Sequence, residues 1–253
     1  MRFLRYCQDG KAIDGWYYDG KVGQIEGNIF GEYRRMEAKT DLDEVTLLPP
    51  VLPGKIICVG RNYVAHASEH GVEVPEIPLL FLKPPSSIIG PNDAIILPPQ
   101  SNRIEHEAEL ALVIGKQGRW IGLEQVNEYI FGYTIANDVT ARDLQNRDGQ
   151  WTRAKGFDTF CPIGPWVETD LNPVDALITC KVNGEVRQMS STRDMVFPVS
   201  HLVAFASSVM TLNPGDLILT GTPAGVGILA DGDRVEIQIE GIGNIVNPVK
   251  RVQ

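Results

Sequence analysis

Cysteine is sparse in this chain, and the little there is does not cluster. Cys7, Cys58, Cys161 and Cys180 are the only four in 253 residues, and none belongs to a Cys-x-x-Cys pair, which argues against a zinc cage. Cys58 and Cys180 fall in apolar, strand-like runs and read as buried thiols. Long hydrophobic runs are missing as well. The opening "MRFLRYCQDGK" holds no continuous apolar segment of signal-peptide length, and nothing later approaches a membrane span. These absences lead to the expectation of a reducing, cytoplasmic setting without a membrane partner. Positive charge is in deficit, with a formal net charge of −9. That argues against nucleic acid or an anionic membrane as the main partner. Small anionic substrates stay open, because they respond to the local field of a site. No P-loop Gly-Lys-Ser/Thr and no GxGxxG opens a helix, so the Gly-rich "GTPAGVG" is a poor nucleotide fingerprint. Internal repeats and low-complexity segments are absent too.

What is present is an ordinary globular composition, 43% hydrophobic and 22% charged, in a chain long enough for one large domain or a domain with a small appendage. Short alternating runs cut by Asp-Gly and Gly turns predict a small β-rich module over residues 1–53, ending in the proline-broken "PPVLPGK". The main domain is expected over 54–253. Within it "KIICVG" is a buried strand, and Asn62 is placed to cap a helix from Tyr63 to about His70, stopped by Gly71. "ELALVIG" and "IFGYTIAND" are strands, and "DVTARDLQNRD" has the composition of a short helix. "ALITCKVNGEVRQM" is a hairpin turning at Asn183-Gly184. "FPVSHLVAFASSVM" has apolar residues at helical spacing and is the longest helix candidate. Strands dominate, and the few helices do not alternate regularly enough for a doubly wound sheet.

The stretch "NRIEHEAELALVIGK" puts Glu105, Glu107 and Glu109 at alternate positions, one face of a strand. Like charges so placed repel, and glutamate is a poor strand former. A divalent ion removes the conflict, and oxygen ligands suit a hard ion such as Mg²⁺, Mn²⁺ or Ca²⁺. Asp138, ending the next strand, offers a third carboxylate. The alternative is a solvated strand edge, and spacing alone does not decide which two glutamates bind. Arg142 and Gln145 follow Asp138 at helical intervals, and Lys155 comes shortly after. Beside a metal they make a cradle for a 2-oxo carboxylate; otherwise they are ordinary surface charges. His66 and Glu69 share a helix face at i and i+3, the arrangement of an oriented general base or of a simple surface contact.

The segments "VGRNYVAHASEHG", "FLKPPSSIIG", "EHEAELALVIGK", "NDVTARDLQ", "RAKGFDTFCPIGP" and "LILTGTPAGVG" occur in that order. Together they resemble the fumarylacetoacetate hydrolase family, above all its acylpyruvase-like and 2-hydroxyhepta-2,4-diene-1,7-dioate isomerase-like branch, from Lys55 to about Val249. The resemblance implies a β-rich α+β fold whose mixed sheet rolls into a barrel-like core, as a homodimer. It implies Mg²⁺, replaceable by Mn²⁺ or Ca²⁺, on Glu107, Glu109 and Asp138, with Glu105 left without a role. It also implies a substrate-side lysine at Lys155, oxo-acid contacts from Arg142, Gln145 and Thr222, a water-activating dyad at His66 and Glu69, and a supporting or structural Lys83.

The activity this leads us to expect is hydrolysis of a C–C bond in a 2,4-dioxo carboxylate of the acylpyruvate or fumarylpyruvate type. It would run through an enolate, with His66 and Glu69 activating water. The same enolate serves an isomerase or tautomerase if it is reprotonated, and an oxaloacetate decarboxylase if it forms by loss of CO₂. A non-catalytic, metal-binding scaffold is the remaining reading.

Overall fold

The computed structural model describes residues 1–69 and 71–252. Strands make up most of the regular secondary structure among the described residues. They form a thirteen-stranded mixed sheet, a five-stranded mixed sheet and a three-stranded antiparallel one. The centre of the large sheet is Ala108–Ile114, the "AELALVI" run, in which every residue is buried. Ile130–Asn137 flanks it on one side and Leu217–Leu219 on the other, both antiparallel. A strand covered on both faces reads as a continuous apolar run and not as an alternation, and this one does. Ile56–Gly60 pairs in parallel with Leu217–Leu219, and Leu79–Lys83 closes that edge.

In the other direction Ile130–Asn137 pairs with Cys161–Glu168, which in turn pairs with Arg2–Gln8. The strands Lys11–Tyr18 and Lys21–Gly27 continue the same sheet outward. The first strands of the chain therefore extend the main sheet edge to edge. The five-stranded sheet includes the expected hairpin, Leu177–Val182 with Glu185–Ser191. Asn183 and Gly184 both sit at positive φ, 56° and 84°, as that two-residue turn requires.

The β-rich α+β architecture agrees with the sequence, but no sheet closes on itself among the described residues. The core is thus barrel-like only loosely, built from open sheets. One cause lies at Glu107, where the chain leaves strand geometry. Ile104–His106 on its near side pairs with Thr140–Ala141 and Gly227–Ile228 in the small sheet, while Ala108 onward joins the large one.

Four α-helices occur among the described residues: α1 Val64–Glu69, α2 Arg142–Asp148, α3 Thr152–Lys155 and α4 Val199–Val209. The longest is α4, which buries Val199, Leu202, Val203 and Ala206, a stripe at i, i+3, i+4 and i+7. The expected helix end at His70 lies outside the described residues. Asn62 does not cap α1. Its side chain accepts from the Phe197 N–H at 2.8 Å and donates to the carbonyls of Phe197 and Thr220, fully buried behind the turn. None of the helices is long and apolar enough to cross a membrane.

Candidate metal centre and substrate pocket

Where the two sheets separate at Glu107, their strand ends deliver carboxylates to one point. Glu107, Glu109 and Asp138 each offer an oxygen, and these atoms lie within 4.8 Å of one another, all three residues buried. Their backbone is locked. The Glu107 N–H donates to Asn137 Oδ1 at 2.9 Å, and the Asp138 N–H donates to the Glu107 carbonyl at 2.9 Å. Glu109 accepts from the Gly221 N–H at 2.7 Å. Gly221 has φ +95°, and a Cβ there would stand 2.8 Å from Asn62 Cβ, so only glycine brings this N–H to the carboxylate.

Buried cations surround the carboxylates. Lys155 Nζ bridges Glu107 at 2.7 Å and Asp138 at 2.5 Å, and Lys83 Nζ holds the other oxygen of Asp138 at 2.7 Å. The Arg142 guanidinium donates from Nε to Glu105 at 2.7 Å, from Nη1 to Gln145 Oε1 at 2.5 Å, and from Nη2 to Glu107. Glu105, whose second oxygen takes Arg103 Nε at 2.6 Å, is therefore the anchor that orients Arg142. Its place on the alternating face is explained by an arginine 37 positions later, which the sequence pattern could not show.

The electrostatics are uneven. Burial alone would push Glu107 up, but Lys155 and Arg142 hold it well below the usual carboxylate range. Glu109 forms no ion pair among the described residues. Burial, and then the neighbouring charges of Asp138 and Glu107, push it well above that range. Burial would lower Lys155, yet Asp138 and Glu107 raise it above its ordinary value, so it stays an ammonium at neutral pH. Four buried carboxylates, counting Glu105, face three buried cations. The one carboxylate left over, a trio of oxygens within reach of one ion and an all-oxygen donor set fit a hard divalent cation.

A cavity of ≈ 430 Å³ opens onto this cluster. Glu107, Glu109, Asp138, Arg142, Gln145, Lys155, Thr222 and His66 all line it, so the sequence-derived candidates meet in one place, with Glu69 behind His66. His66 is buried on α1, and its Nδ1 stands 3.5 Å from Glu69 Oε2. Glu69 also accepts the Gly225 N–H, at 3.2 Å to each oxygen, tying α1 to the "GTPAGVG" loop. Thr222 donates to the Ala108 carbonyl at 2.9 Å and accepts from Gln188 Nε2 at 2.7 Å. Gln188 has no signal in the sequence, since it arrives from the distant hairpin. Arg61, Phe81 and Trp151 also line the cavity and escaped the sequence reading.

Residues 55–250 match the family profile described as fumarylacetoacetate (FAA) hydrolase C-terminal, and residues 1–50 match one described as Rv2993c-like, N-terminal. The chain belongs to the fumarylacetoacetate hydrolase family. A solved relative, 5-carboxymethyl-2-hydroxymuconate delta-isomerase from Mycobacterium smegmatis, is 46% identical with a TM-score of 0.92, covering 100% of both chains. The mitochondrial oxaloacetate tautomerase Fahd2a of Rattus norvegicus is 49% identical over 218 residues, which are 81% of this chain and 70% of that protein. The fumarylacetoacetate hydrolase from psychrophilic Exiguobacterium antarcticum is 40% identical with a TM-score of 0.87, again over 100% of both chains. Isomerase, tautomerase and hydrolase names thus occur on one family fold.

Proposed function

We propose that this member of the fumarylacetoacetate hydrolase family enolises 2-oxo carboxylates, as a keto–enol tautomerase or double-bond isomerase. The observation that carries the reading is the Lys155 ammonium, buried between Glu107 and Asp138 and facing the same cavity as His66. A Mg²⁺ ion on Glu107, Glu109 and Asp138, replaceable by Mn²⁺ or Ca²⁺, would supply Lewis acidity toward the 2-oxo group and its carboxylate. Lys155, a fixed cation, favours negative charge as it develops on the enolate oxygen and is no base. Arg142, Gln145 and Thr222 hold the carboxylate end. His66, oriented by Glu69, carries the proton between C3 and its new position. The isomerase and tautomerase names among close relatives support this order of preference over hydrolysis.

The His66–Glu69 contact favours a second reading, the C–C hydrolysis first expected, because an oriented imidazole at the pocket wall can equally deprotonate water. One experiment separates the two. Protein stripped with EDTA is given enol oxaloacetate, with loss of the enol followed in the ultraviolet, and acetylpyruvate, with pyruvate release followed; Mg²⁺ is then restored. Metal-dependent enol loss without consumption of the oxo acid is expected. Metal-dependent pyruvate release abolished by His66→Ala moves the assignment to hydrolysis. Turnover of neither substrate overturns both readings.

A further inference from the structure

We propose that Arg61 binds a second, distal carboxylate, which makes the pocket selective for 2-oxo dicarboxylates over 2-oxo monocarboxylates. This rests on the enolisation reading for the identity of the proximal end. The other cations at the cavity already belong to the metal corner and the oxo-acid end: Lys155 bridges Glu107 and Asp138, and Arg142 is fixed by Glu105 and Glu107. Arg61 lines the same cavity, half-buried, and its guanidinium makes no ion pair or hydrogen bond among the described residues. A guanidinium carries five donors and stays charged at any working pH, so an unengaged one on a pocket wall is a ready anion receptor.

The backbone holds it there against its own preference. Arg61 sits at φ +58°, the left-handed region that costs an ordinary side chain about 1–2 kcal/mol. Both neighbours are pinned. A Cβ on Gly60 would stand 2.8 Å from the Trp151 ring, so that ring closes directly on the backbone. Asn62 is fastened to Phe197 and Thr220. Between them Arg61 cannot relax, which is how functional strain persists. The wall is completed by Phe81 and Trp151, edge to face at 5.1 Å. The cavity therefore offers a charged, carboxylate-lined metal corner, an apolar wall to pass a short carbon chain, and a free cation. That sequence of chemistries matches a substrate with an oxo-acid head, a carbon spacer and a terminal carboxylate.

The test is calorimetric binding in Mg²⁺ of two non-enolisable probes, N-oxalylglycine, a 2-oxo diacid, and oxamate, a monoacid. Wild-type protein should favour the diacid. Arg61→Ala should weaken the diacid about 10- to 100-fold more than the monoacid, the value of a charge-assisted contact. Arg61→Lys should recover part of the difference, and Arg61→Gln carries the same comparison if the alanine variant fails to fold. An unchanged diacid preference, an equal loss for both probes, or no binding of either by wild type overturns the proposal. Because neither probe needs turnover, a protein that prefers the diacid but turns over no 2-oxo acid sinks the enolisation reading alone. In turnover of oxaloacetate, Arg61→Ala should act on KM more than on kcat.

Discussion

Glu105 illustrates how much of a site hangs on residues that touch no substrate. It fixes one edge of the Arg142 guanidinium, leaving the other two nitrogens for Glu107 and Gln145. Glu105→Ala leaves that buried arginine with a single carboxylate. We expect a loss of about 1–3 kcal/mol in unfolding free energy. We also expect a KM for the oxo acid raised about tenfold, the kinetic equivalent of about 1.4 kcal/mol of lost positioning. Glu105→Gln, which keeps an acceptor, should fall between the two. Urea unfolding and steady-state kinetics read both effects, and a Glu105→Ala protein with wild-type KM would remove the orienting role. The alternating glutamates were legible because strand periodicity is local. Their division of labour was not, because it depends on where Arg142, Lys155 and Gly221 arrive after folding.

At the scale of elements, local chemistry again read well and long-range pairing did not. The Asn183-Gly184 turn and the apolar stripe of α4 are written within a few residues of themselves. The break at Glu107 and the seating of Arg2–Gln8 beside Cys161–Glu168 involve partners far along the chain, so no window of sequence contains them. Asn62 shows the same limit, since a helix cap is the local guess and Phe197 is the actual partner. α1 is the element whose behaviour matters most for chemistry. It has six residues, buries only His66 and Ala67, and is tied to the 221–227 loop through Glu69 and Gly225. Glu69→Gln keeps an acceptor for Gly225 but removes the charge facing His66; Glu69→Ala removes both. Amide exchange at residues 64–69 and 225 should accelerate in the alanine variant and stay near wild type in the glutamine one, while kcat falls in both. Equal exchange in all three proteins would show that Glu69 does not anchor the helix.

For the molecule as a whole, the uneven carboxylates tie stability to pH and, on the proposed function, to a bound metal. Glu107 is depressed in the folded state. Its contribution is present above the ordinary carboxylate range and is lost as pH falls through its lowered value. Glu109 is raised, which has the opposite sign. Above the ordinary carboxylate range the unfolded chain ionises this group while the folded one still holds the proton, so metal-free protein loses stability as pH rises. A divalent ion held there, as proposed, would take up the charge that Glu109 cannot otherwise carry and would release its proton on binding. On that proposal, saturating Mg²⁺ at about a hundred times its Kd should add about 2.7 kcal/mol. At roughly 2–4 °C per kcal/mol for a chain of this size, that is a rise of about 5–10 °C in Tm. The gain over EDTA-treated protein should be larger near pH 8 than near pH 5, where proton competition is stronger. Calorimetric titration of Mg²⁺ in two buffers of different ionisation enthalpy should register the released proton. A Tm difference that is flat with pH, together with no proton release, would mean that Glu109 is already ionised in the metal-free protein and that Asp138 and Glu107 do not crowd it.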